Sequence, residues 1–162
     1  MRFAAWLAGV WTGVLAAIGG IAAPAAFAVV PPPTAGLIAG RMFAREAYAG
    51  IVVAVVLFVI LRGRARANAA AGTGSALSAD MLLVLGTLFC TVAGYFAVLP
   101  LMASARAGQG GLSFGALHAV STAFFVLKGV LFAVLAWRLA PRGRDPAGGS
   151  AAPPGVSRPP SS

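Results

Sequence analysis

The chain has 162 residues, 60 % of them hydrophobic and 9 % charged, with a mean hydropathy of +0.93. Soluble domains carry about 25 % charged residues, so this composition excludes an ordinary soluble domain and indicates an integral membrane protein. The formal net charge of +9 does not indicate a nucleic-acid partner, because the basic residues fall in the gaps between apolar runs and form no basic face with interleaved aromatics.

Four apolar runs predict an all-α fold, a membrane-spanning four-helix bundle with helices over about 3–30, 35–62, 80–103 and 114–138. About 20 helical residues cross a bilayer core of about 30 Å. The first run imitates a secretory signal peptide, with Arg2, an apolar stretch and Ala26-Phe27-Ala28. Its apolar part is longer than a signal peptide's and holds Trp6 and Trp11, so it is expected to stay attached as a span. Gly9, Gly13, Ala16 and Gly20 have the small-xxx-small spacing of a helix-packing face.

Before the second run, Pro31-Pro32-Pro33 supplies a breaker and Thr34 an N-cap, and the early turns place Arg41 and Arg45 as headgroup anchors. Residues 63–78 read as a basic, flexible loop. Asp80 opens the third helix, where a carboxylate complements the helix dipole. Residues 1–140 form one transmembrane domain, and 141–162 a disordered Pro/Gly/Ser-rich tail. On the side of the N-terminus lie Arg2, Arg62, Arg64, Arg66, Arg138, Arg142, Arg144 and Arg158, against Arg41, Arg45 and Arg106 on the other; the imbalance predicts that both termini are cytoplasmic. The abundance of Arg, Ala, Gly and Pro suggests a G+C-rich bacterial genome, and hence a bacterial inner (plasma) membrane. Cys90 is the only cysteine, which leaves no intrachain disulfide.

Several landmarks fall in a recognisable order. Trp11 and Gly13 precede Pro24 and Phe27; AGLIAGRMF (35–43) opens the second helix; Pro100-Leu101-Met102 with Arg106 ends the third; Phe114, Leu117, His118 and Ser121 open the fourth. In this the chain resembles the transmembrane-protein-205-like family, a domain of unknown function, over about residues 4–137. The resemblance implies a four-helix membrane fold and no established reaction. A fainter likeness to small haem- or copper-associated membrane proteins does not extend to ligands, since His118 is the only histidine and two-histidine haem ligation needs another.

No Walker loop, paired carboxylates, Gly-x-Ser-x-Gly or HExxH is present, so no catalytic residue, no metal site and no cofactor is expected. The chemistry-bearing residues lie inside the spans. Counting about 1.5 Å per residue from the cytoplasmic ends places Lys128, Thr91, Tyr95, Glu46 and His118 as a ladder in the outer half of the membrane. Spacings of three and four put His118, Ser121, Thr122, Phe125 and Lys128 on one stripe. Glu46, Thr91, Tyr95, His118, Ser121, Thr122 and Lys128 are therefore the candidate intramembrane polar cluster, with Glu46 and Lys128 joined through water. A charge near the midplane is costly and marks a functional hypothesis; snorkelling, or a satisfied interfacial histidine, is the structural alternative. The expected role is a non-enzymatic membrane module acting by helix packing, with the lipid bilayer and a second copy or another membrane protein as partners. The alternative is a small transporter or channel subunit for a proton, anion or metal ion.

Overall fold

The computed structural model describes residues 1–75, 77–109 and 111–141. They form four helices, each long and apolar enough to cross a membrane: α1 (Arg2–Val29), α2 (Pro32–Ala70), α3 (Ala79–Arg106) and α4 (Phe114–Leu139). The tail expected over 141–162 lies, beyond Pro141, outside the described residues. Each helix packs against its chain neighbours and α4 closes on α1, whereas the diagonals α1/α3 and α2/α4 make little backbone approach. The result is an up-down bundle. Met1, Arg64, Asp80 and Arg138 gather at one end, and Pro32, Pro33 and Arg106 at the other.

The helix ends follow local chemistry. Ser78 and Ser113 cap α3 and α4, their hydroxyls accepting from the N–H groups of Met81 and Ala116 at 3.3 and 3.2 Å; each satisfies a first-turn donor that has no partner in the helix. Asp80 in the first turn of α3 also accepts from Arg138 Nε at 2.6 Å, tying α3 to α4. The N-cap of α2 is Pro31, with Pro32 in the first turn; a ring without an N–H costs nothing there. Thr34 is therefore inside the helix rather than its cap. Nor does α2 stop near residue 62: it runs through Arg62, Arg64 and Arg66 to Ala70, where a loop was expected. Alanine and arginine are strong helix formers, and Leu61 and Ala65 are still buried against the bundle. Gly72 and Gly108 then end α2 and α3 at φ +69° and +73°. At both ends the next N–H reaches back to the carbonyl of Asn68 or Ser104, a left-handed closure that favours glycine.

Two helices contain a π turn, each just before a proline. In α1 it spans Ile18–Ala22, with the Ala23 N–H donating to the Ile18 carbonyl five residues back, ahead of Pro24. In α3 it spans Val92–Ala97, with the Val98 N–H donating to Ala93, ahead of Pro100. A proline ring clashes with the carbonyl four residues earlier and offers it no N–H; those carbonyls, Gly20 and Phe96, lie within the widened turns, which relieve the clash without breaking the helix.

The main core lies toward the N-terminal end: Ala4, Ala8, Leu15, Ala54, Leu57, Leu61, Met81, Val84, Phe132, Leu135 and Leu139. A smaller cluster of Val98, Met102 and Leu117 lies toward the other end. Helix α1 joins the core through Ala4, Ala8 and Leu15, not through the small-residue face expected. Gly9, Gly13, Ala16 and Gly20 are exposed, and added side-chain carbons at Gly13 and Gly20 would meet nothing within 4 Å. Each lies one residue on from the line through residues 8, 12, 15 and 19, so that face is turned about 100° from the buried one.

Candidate functional site

Glu46 comes from α2 and Lys128 from α4, the two helices of one diagonal. Lys128 Nζ donates to Glu46 Oε2 at 2.7 Å, with the side chains 5 % and 2 % exposed. Where a water bridge was expected, the contact is direct. Depth counted along the helix axes leaves a gap of a few ångströms, and the flexible four-carbon stem of lysine closes it. Lys128 lies near the middle of α4, about 21 Å from one end and about 17 Å from the other. Coulomb attraction is strong in such surroundings, but desolvation of two ions offsets much of it. The pair thus joins α2 and α4 across the diagonal.

Aromatic rings and glycines shape the surroundings. The Phe125 ring lies 5.2 Å from Lys128 Nζ and meets Phe43 of α2 edge-on at 5.1 Å. Its other side is against Gly19 in the π turn of α1, where a Cβ would stand 2.7 Å from the ring. On the carboxylate side, Gly50 lies one turn beyond Glu46. A Cβ there would be 3.0 Å from Glu46 Oε1 and 3.4 Å from Trp11 Nε1. The side chains of α1, α2 and α4 thus converge on one layer of the bundle.

Of the remaining candidates, Thr91 and Ser121 face inward but serve the backbone. Buried Thr91 donates to the Thr87 carbonyl at 2.9 Å, and Thr87 to Val84 at 2.8 Å. Ser121 Oγ donates across to the Gly94 carbonyl at 3.1 Å. In a regular α-helix the Val98 N–H would bond that carbonyl; the π turn sends it to Ala93 and Tyr95 instead. Half-buried Tyr95 packs edge-on with Tyr48 and Phe96 at 6.4 and 5.0 Å. His118 and Thr122 do not join the cluster. Both are exposed; His118 stacks on Phe114 at 5.9 Å, beside Arg106 over the same ring at 4.4 Å, and Thr122 donates to the His118 carbonyl at 2.9 Å. At about 100° per residue, Ser121 lies about 20° around α4 from Lys128, His118 about 80° and Thr122 about 120°. Steps of three and four had concealed that drift. Arg41 and Arg45 are exposed one turn apart on α2.

Trp11 and Gly50 complete the layer around the ion pair without having been named as site residues, and Phe125, which the sequence places on the Lys128 stripe, joins them. The available signals were a Trp, with its one polar atom, inside an apolar run, and a Gly four residues after the buried acid.

No curated protein and no solved structure matches the chain. A family model described as a domain of unknown function, DUF4149, matches residues 6–110; the matched segment contains Trp11, Glu46 and Gly50 and ends before α4. Since it covers about two-thirds of the 162 residues, the chain, a multi-pass integral membrane protein, belongs to the DUF4149 family.

Proposed function

We propose that this protein is a non-enzymatic membrane module of a bacterial inner membrane, acting by helix packing and by association with a second copy or another membrane protein. Both termini are cytoplasmic, α1 remains attached, and Arg41 and Arg45 anchor the opposite headgroup layer. The observation that carries this role is the direct contact of Lys128 Nζ with Glu46 Oε2 at 2.7 Å across the diagonal. A buried polar pair that joins non-adjacent helices acts as a registration device, fixing the bundle's arrangement. The finer likeness to the transmembrane-protein-205-like family fits the same role and adds no reaction.

One observation favours the transporter or channel alternative: Glu46 Oε1 is buried without a protein partner, leaving a carboxylate oxygen for a proton or ion. Glu46→Gln, Lys128→Met and the double variant separate the two. Each is assayed for thermal stability in mild detergent, for oligomer size by native mass spectrometry and for proton and ion flux in liposomes. The packing role predicts stability losses that are smaller in the double variant than in the sum of the singles, with no flux attributable to the pair. Loss of flux from a bundle that keeps its stability would establish the transporter role instead.

A further inference from the structure

Among the described residues, two buried side-chain polar atoms have no hydrogen-bond partner, Trp11 Nε1 and Glu46 Oε1. One is a donor and the other an acceptor, and they come from different helices. Both approach the same glycine: a Cβ on Gly50 would lie 3.0 Å from the oxygen and 3.4 Å from the indole nitrogen. Adding these distances (3.0 + 3.4) sets the two atoms no more than 6.4 Å apart; two hydrogen bonds of about 2.8 Å through one water span up to about 5.6 Å, which lies inside that bound. They do not bond directly. Because Gly50 has no side chain, both groups reach the place where any other residue would put a carbon.

We propose that Trp11, Glu46 and Gly50 form a binding site for a single water molecule in the middle of the bundle. The water accepts from the Trp11 indole N–H and donates to Glu46 Oε1. No other ligand class fits as well. The occupant must both accept and donate, which excludes a metal cation facing the N–H and an anion facing the carboxylate. It must also be small enough to fit among the side chains over Gly50. A buried polar group left unpaired is costly, whereas a bridging water satisfies two such groups at once for a smaller entropic cost. With this water in place, the carboxylate accepts from Lys128 on Oε2 and from water on Oε1.

The full chain in lipid bilayers, with nitrogen-15 in its tryptophans and lysines and carbon-13 in its carboxylates, tests this by solid-state NMR. Magnetisation transferred from water should reach the Trp11 indole N–H, a signal assigned by its loss in Trp11→Phe and distinct from those of exposed Trp6 and Trp137. In Gly50→Ala, where a methyl occupies the space, that transfer should be lost while the dipolar contact between Lys128 Nζ and the Glu46 carboxyl persists. Should Gly50→Ala not fold, Trp11→Phe gives the second reading: water transfer to the Glu46 carboxyl should fall. A direct dipolar contact between the Trp11 indole and the Glu46 carboxyl with no water transfer would overturn the proposal. So would transfer that survives unchanged in Gly50→Ala or Trp11→Phe.

Discussion

The end of the bundle that holds the N-terminus differs in construction from the end that holds the turn between α1 and α2. The first is packed with branched and aromatic side chains, Leu57, Val84, Phe132 and Leu135, all buried on regular α-helical segments. The second has few large buried residues, both π turns, and both mid-helix prolines, Pro24 and Pro100. There the helices meet through glycine against phenylalanine, as Gly19 does with Phe125 and Gly94 with Phe124. Glu46 and Lys128 lie at the border. Regular helices suit knobs of similar size packed in layers, whereas a wedged ring needs a missing side chain opposite it and a backbone that can widen locally. The first end is specified by volume and the second by shape and polarity.

Four sets of substitutions sharpen that contrast, and the border should be the most sensitive place. Lys128→Met strands a buried carboxylate and should lower the unfolding free energy, measured by titration with a denaturing detergent in mixed micelles, by roughly 3–5 kcal/mol. Adding Glu46→Gln should restore part of the loss; strict additivity would remove the ion pair from its structural role. Phe132→Ala, in the volume-packed end, should cost about 3 kcal/mol by the same titration. Met102→Ala at the other end should cost clearly less, and equal losses would show that the two ends are not differently packed.

Shape dependence should be seen at Gly94, where a Cβ would stand 2.7 Å from Phe124 Cβ. Gly94→Ala should lower thermal stability by the equivalent of about 1–3 kcal/mol, as overpacking does, while Gly13→Ala on the exposed face should stay within about 0.5 kcal/mol. An equal response at the two glycines would refute the packing assigned to Gly94. Little should also be lost at the ion pair of the N-terminal end. Asp80→Asn removes a contact to Arg138 whose side chains are 23 % and 47 % exposed, so a loss of at most about 1 kcal/mol is expected, and less at high salt.

The four spans were legible because apolar length is a one-dimensional property. The partnership of Glu46 with Lys128 was legible because depth along a helix can be counted from its charged ends. Rotation about the helix axis was much less so. His118 and Thr122 share the Lys128 stripe only by three- and four-residue steps whose angular errors accumulate, and the spacing of Gly9, Gly13, Ala16 and Gly20 does not single out the buried face because small residues recur on several faces of α1. The length of α2 was misread because Arg62, Arg64 and Arg66 look like a loop when charge is weighed above helix propensity. The π turns could have been suspected from Pro24 and Pro100 inside apolar runs, but not the selection of Gly94 to receive the Ser121 hydroxyl.

The diagonal pair also has a consequence for synthesis. Glu46 and Lys128 are 82 residues apart in the chain, so at about 5–20 residues per second the acid is made about 4–16 s before its base. During that interval α1, α2 and α3 are available to enter the bilayer and α4 is not. The nascent Glu46 must spend those seconds protonated, hydrated at the membrane surface, or shielded by the insertion machinery. Arrival of α4 then supplies the missing charge, making the last helix the step that commits the chain to its final arrangement.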